Sequence, residues 1–231
     1  MVGTVHNMVD WRPVHPADAA DVAATRNIDR IFNRAWLDIV VRGRYDRNLD
    51  GVEQPGESRP QLANRTDFIG VNHYQPGYVT ALDAPVTPLI PSFDFAPQST
   101  FRAALTPKAP PCPGTCSDFG WPIDPSGMLN VVREAAAYGK PIYITENGIA
   151  DAKDRLRAGY ITGYLGAVRE AIARGGDIRG YFHWSLTDNF EWAEGFAPKF
   201  GLYSYNRRTL RRTMRPSARA YARIATTGRL P

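Results

Sequence analysis

The 231 residues, 43% apolar and 11% aromatic, are enough to bury a core of ordinary size. Nothing near Met1 pairs a basic segment with an apolar h-region and no run of ~18 apolar residues occurs, so neither secretion nor membrane spanning is expected and a cytoplasmic location is. The net charge of +5 comes largely from arginines after residue 206, and residues 216–224 show helical spacing with arginines on the solvated side, so a surface helix is expected and no nucleic-acid partner.

In chain order, residues 3–9 form a short apolar run that reads as a strand, and Trp11-Arg12-Pro13 reads as a loop-like break. Over 18–40, Val22, Ile28, Ile31, Phe32, Ala35 and Ile39 recur at three- and four-residue spacing, which predicts a helix ended by Gly43. Residues 67–74 read as a buried strand with polar residues at its exit, and strand alternation turns His73 away from the side shared by Asn72 and Tyr74. The Pro-rich stretch 75–120 lacks periodicity and reads as one long excursion. It contains Cys112 and Cys116, which read as incidental thiols because no further Cys or nearby His completes a zinc site.

Order resumes after Trp121. Asp124 is a plausible N-cap with Pro125 at the first helical position, and Met128, Leu129, Val132, Ala135 and Ala136 form a buried stripe that stops at Gly139. A strand over 141–147, a helix ending at Gly175-Gly176 and a last strand over 178–185 follow. Alternation of strand and helix at this spacing predicts a parallel sheet. Four such units are found, where a complete (β/α) barrel has eight in about 250 residues.

Two strand ends carry the chemistry: Tyr143-Ile144-Thr145-Glu146-Asn147-Gly148, and the run from Tyr181 through Trp184, Asp188 and Glu191 to Trp192. Each opens as an apolar strand and ends in carboxylate, amide and indole groups, where a barrel places its reacting residues. Both segments resemble the C-terminal signatures of the retaining β-glycosidases of glycoside hydrolase family 1. That resemblance implies α/β architecture, the C-terminal half (strands five to eight) of a (β/α)8 TIM barrel, with residues 1–231 one partial-barrel domain.

It further implies that Glu146, in Thr-Glu-Asn-Gly, is the nucleophile, and that Asn72 and Tyr74 match the family's Asn-x-Tyr. There the asparagine lies in the substrate pocket, while the tyrosine hydroxyl orients the nucleophile and favours its ionised form. Trp184, Glu191 and Trp192 match a sugar platform, Phe200 an aromatic that closes the pocket, and Trp121 an aromatic on the aglycone side, for which a loop anchor is the alternative role. Indoles pack on the C–H faces of a pyranose while hydroxyls need charged acceptors. Branches acting on 6-phosphorylated sugars usually carry serine where Glu191 stands, which implies an unphosphorylated β-glycoside. No metal and no organic cofactor is implied.

Retaining glycosidases need two carboxyl groups. The family carries its acid/base glutamate in an Asn-Glu-Pro segment, and none occurs in these 231 residues. Glu170, Glu191 and Glu194 are the nearest later carboxylates; Glu170 falls on a predicted helix and Glu191 already has a sugar-binding role. The expected partner is therefore an N-terminal half-barrel or a second copy. A non-catalytic sugar-binding remnant is the alternative function, and a nucleic-acid-binding basic tail a weaker one.

Overall fold

The computed structural model describes residues 1–81, 94–95 and 114–231. Four strands, β1 (Gly3–Asn7), β3 (Phe68–Asn72), β6 (Ile142–Gly148) and β7 (Ile178–Trp184), form one sheet in the order β1-β3-β6-β7, and every pairing is parallel. Helical segments separate them in sequence. The helix Pro125–Ala136 begins as its sequence predicts, with the Asp124 carboxylate accepting from Ser126 N at 3.0 Å. The helix Arg157–Ala173 leads into β7, and the helix Pro216–Thr227 follows the hairpin of β8 (Tyr203–Tyr205) and β9 (Arg212–Met214). Among the described residues no helix is long and apolar enough to cross a membrane.

The helix-facing side of the sheet is the core. Ile69, Val71, Ile142 and Ile144 are completely buried and belong to one apolar cluster with Met128, Val132, Ile161 and Tyr164. Each such side chain contributes about 1.5–3 kcal/mol relative to exposure. The other face is different. Tyr143 meets Phe68 edge-on at 5.0 Å, but Val5 and Phe182, on the two outermost strands, remain 53% and 57% exposed.

Several local expectations need correction. Trp11-Arg12-Pro13 is not a break but part of a strand, β2 (Asp10–Pro13), which runs parallel to β4 (Pro76–Thr80) inside the stretch read as irregular; β4 pairs in turn with β5 (Asp94–Phe95). Pro13 and Pro76 occupy the last and first positions of their strands, where a missing N–H is tolerated. Gly77 sits opposite Trp11, and any Cβ there would lie 2.5 Å from the indole, so the glycine makes room for the ring. The remaining parts of the predicted excursion, 82–93 and 96–113, lie outside the described residues.

The long helix predicted over 18–40 is also not regular. It runs as an α-helix over Ala19–Asp29, widens into π-helical turns at Arg30–Arg34 and Asp38–Arg42, and ends at Gly43 with φ 70°. A π turn adds a residue and re-aims the following side chains. Here it delivers the buried Asn33 to Val9, accepting from Val9 N at 3.1 Å and donating to Val9 O at 2.8 Å, as a neighbouring strand would. Cys116 is disulfide-bonded rather than an incidental thiol, and Cys112 lies outside the described residues.

Candidate active site

Regular alternation along β6 would put Glu146 on the same side as Ile142 and Ile144, facing the helices. The strand avoids this with a bulge. Val71 pairs with Ile144 but the next pair is Asn72 with Glu146, so β6 carries one extra residue, Thr145, against β3; the register against β7 shifts over the same stretch. A bulge of this kind re-aims side chains at a strand end. Thr145 and Glu146 both reach the side shared with Asn72 and Tyr74, and Asn147 turns into the core.

The side chains then interlock. Tyr74 Oη donates to Glu146 Oε2 at 2.8 Å, and Thr145 Oγ1 donates to Asn72 Oδ1 at 2.7 Å. Burial, followed by the neighbouring Glu146 charge, raises the Tyr74 pKa far above its ordinary value, so the phenol stays a donor. His73 points away, as alternation predicts. It is fully buried with Nδ1 at 2.9 Å from Met8 O, and burial lowers its pKa.

Above this pair opens a cleft of about 450 Å³. Of the residues singled out from sequence, Tyr74, Trp121, Glu146, Trp184, Glu191, Trp192 and Phe200 line it; Asn72 does not, and is bonded to Thr145 instead. Trp184 Nε1 donates to Glu191 Oε1 at 3.1 Å, so indole and carboxylate form one unit. Trp192 stands at the mouth, 84% exposed. Phe200 is buried, with ring centroids of Tyr74 and Trp121 at 6.4 and 6.0 Å.

Phe200 is held from behind. Arg157 Nη2 donates to Lys199 O at 2.7 Å, Gly201 N donates to Asp188 Oδ1 at 2.9 Å, and Arg215 grips both Asp188 oxygens at 2.9 Å. Buried carboxylate and guanidinium are thus paired and hydrogen-bonded, the condition under which burial of charge is tolerated. Two further wall residues escaped the sequence reading. Phe119 meets Trp121 edge-on at 4.6 Å, and Gln75 is 92% buried at the wall by its 8% exposure; both fall in the stretch read as an excursion, which masked them. Glu170 is exposed on its helix and paired with Arg174, away from the cleft lining.

The described lining contains three glutamates, Glu146, Glu191 and Glu194, with six aromatic side chains, Tyr74, Phe119, Trp121, Trp184, Trp192 and Phe200, and no Lys, Arg or His. Such a surface suits a neutral polyhydroxylated ring and repels a phosphate. No group of three or more metal-ligating side chains occurs among the described residues.

Known proteins share this sequence pattern and fold. Residues 1–229 match the sequence profile of glycosyl hydrolase family 1. The chain is 38% identical over 213 residues to a β-galactosidase of Pyrococcus woesei, matching 89% of this chain and 40% of that protein. Against a β-galactosidase of Sulfolobus acidocaldarius identity is 33% over 231 residues, 100% of this chain and 44% of that protein. The fold superposes on a β-glycosidase from Pyrococcus horikoshii with a TM-score of 0.82 at 33% identity, covering 100% of this chain and 49% of that one. The solved relatives are (β/α)8 barrels, and this chain spans less than half the length of each of these three. With its whole described fold and nearly its whole sequence inside that pattern, the chain belongs to glycosyl hydrolase family 1.

Proposed function

We propose that the chain supplies strands five to eight of a (β/α)8 barrel that hydrolyses the O-glycosidic bond of β-D-glycosides by double displacement, with Glu146 as the nucleophile. The observation that carries this reading is the carboxylate of Glu146, turned into the cleft by a bulge and bonded by Tyr74 at 2.8 Å, beside the Trp184–Glu191 unit. A nucleophile must keep one lone pair free for the anomeric carbon while the other oxygen is held, and a single donor on Oε2 does this.

Glu191, tied to Trp184, serves as acceptor for sugar hydroxyls on an indole platform, Trp192 closes the mouth, and Trp121 and Phe119 line the aglycone side. The absence of a cation from the described lining supports an unphosphorylated glycone. The acid/base carboxyl comes from a complementary N-terminal half, on a partner chain or on the same longer polypeptide, since no Asn-Glu-Pro segment occurs in the 231 residues.

Complementation tests the reading. Mixed with the N-terminal portion of a family member, the chain should hydrolyse 4-nitrophenyl β-glucoside or β-galactoside. Alone it should be poorer by about 10²- to 10⁴-fold, the usual worth of general acid catalysis. Robust cellobiose hydrolysis by the 231-residue chain alone would contradict it.

A further inference from the structure

On the helix-facing side of the sheet, directly behind the cleft, lies a polar chain in the core. Asn147 is completely buried, yet its amide is well satisfied: Nδ2 donates to His73 O at 2.7 Å and to Tyr160 Oη at 2.8 Å, and Oδ1 accepts from Tyr181 Oη at 2.8 Å. The three partners come from three elements: the exit of β3, the helix Arg157–Ala173, and β7. One turn along that helix, Tyr164 stacks on Tyr160 with ring centroids 4.1 Å apart at 23°. Tyr164 Oη then donates to the backbone oxygen of Tyr74 at 3.3 Å and accepts from Asp124 N at 3.2 Å.

This chain therefore grips both members of the Tyr74–Glu146 pair from behind. At one end it holds Asn147, the residue next to Glu146; at the other it holds the backbone of Tyr74. Its position coincides with the bulge. If β6 slipped back into regular pairing, alternation would return Glu146 to the helix side and present Asn147 to the cleft. Such a slip has to break all three bonds to a buried amide, which leaves polar groups unsatisfied in a low-dielectric interior. Burial raises the pKa values of Tyr160, Tyr164 and Tyr181, so their hydroxyls remain protonated donors.

We propose that Tyr160, Tyr164 and Tyr181 are positioning residues that, acting through Asn147 and the Tyr74 backbone, lock the bulge and hold Glu146 on the cleft face. The proposal rests on the reading of Glu146 as the reacting carboxylate, but its test needs no turnover. In the 231-residue chain carrying 13C-labelled tyrosine, the Tyr74 hydroxyl proton is followed by NMR through its ring carbons, and its exchange with solvent is measured. Tyr181→Phe and Tyr164→Phe each keep the ring and its packing and delete one oxygen, at opposite ends of the chain; if one fails to fold, the other makes the same test.

Each should speed exchange of the Tyr74 proton about tenfold, the worth of one net hydrogen bond. Tyr138→Phe is the control. It deletes a hydroxyl bonded to Asp38 at 3.1 Å, at a site remote from Asn147, and should leave the Tyr74 proton at the wild-type rate. Unchanged exchange in the Tyr181 and Tyr164 variants, or equal acceleration by Tyr138→Phe, would overturn the proposal, because the hydroxyls would then only add general stability. Failure of Glu146 to react with a glycoside would sink the functional reading and leave this measurement standing.

Discussion

Tyr74, at the exit of β3, and Glu146, 72 residues later in the bulge of β6, meet through one hydrogen bond of 2.8 Å from phenol to carboxylate. Among the described residues Glu146 Oε1 has no hydrogen-bond partner, so the bond to Oε2 fixes which oxygen is left for the cleft.

Removing that hydroxyl should hurt catalysis more than folding. A hydrogen bond to a charged group is worth about 1.5–3 kcal/mol, so Tyr74→Phe in the assembled enzyme should lower kcat/KM on an aryl β-glycoside by roughly 10- to 100-fold. The urea midpoint should move little, because the ring still packs against Trp121 and Phe200. A fall of less than about threefold would make the hydroxyl a bystander.

Two glycines should behave in opposite ways. A Cβ on Gly148, at the end of β6, would stand 1.8 Å from Trp184 O, so Gly148→Ala must push β6 from β7 and should lower stability by about 1–3 kcal/mol, as overpacking does. Gly159, inside the helix Arg157–Ala173, has nothing within 4 Å of such a Cβ. Gly159→Ala should stabilise by about 0.5–1 kcal/mol. Urea denaturation of the two variants measures both, and a neutral Gly148→Ala would mean that the strand ends are loosely packed.

How far the sequence could be read depends on the kind of signal. The parallel strands and the amphipathic helix Pro125–Ala136 were legible because period and capping agree locally, and the strand-end carboxylates followed from them. The bulge was not legible: nothing in Ile-Thr-Glu-Asn announces an extra residue, and alternation alone sends Glu146 to the wrong face. β2 and β4 were hidden by prolines at their ends and by a glycine whose purpose, room for Trp11, is visible only across the sheet. Asn147 shows the same limit, since its three partners lie 13 to 74 residues away.

Stability should fall on mild acidification. Burial first, and the nearby Arg157 charge second, depress the His183 pKa from its ordinary 6.5 to about 3, and burial also lowers that of His73. Below pH 6.5 the unfolded chain takes up protons that the folded one refuses. These histidines therefore cost nothing above 6.5, and stability drops as pH falls toward 3, by up to about 1.4 kcal/mol per pH unit for His183. Neither His183 ring nitrogen has a hydrogen-bond partner among the described residues, so His183→Leu should be tolerated at neutral pH and should flatten the slope. An unchanged slope in urea titrations at about pH 4, 5 and 6 would show that His183 is charged or exposed in the fold.

The outer strands bear on assembly. β1 and β7 end the sheet, with Val5 and Phe182 more than half exposed on the face that a closed barrel fills. At micromolar concentration the isolated chain should elute as a dimer or larger species in light scattering coupled to size exclusion, and addition of an N-terminal half should convert it to a 1:1 complex. Phe182→Lys should weaken both. A cooperatively folding wild-type monomer would show that the chain satisfies its edges alone.

The most direct test of the central claim is covalent trapping. The complemented protein, incubated with a 2,4-dinitrophenyl 2-deoxy-2-fluoro-β-glycoside whose leaving group needs no acid, should gain one glycosyl group, and peptide mass spectrometry should place it on Glu146. A label on Glu191 or Glu194, or no label while the complemented protein still turns over aryl glycosides, would contradict the assignment of Glu146 as nucleophile.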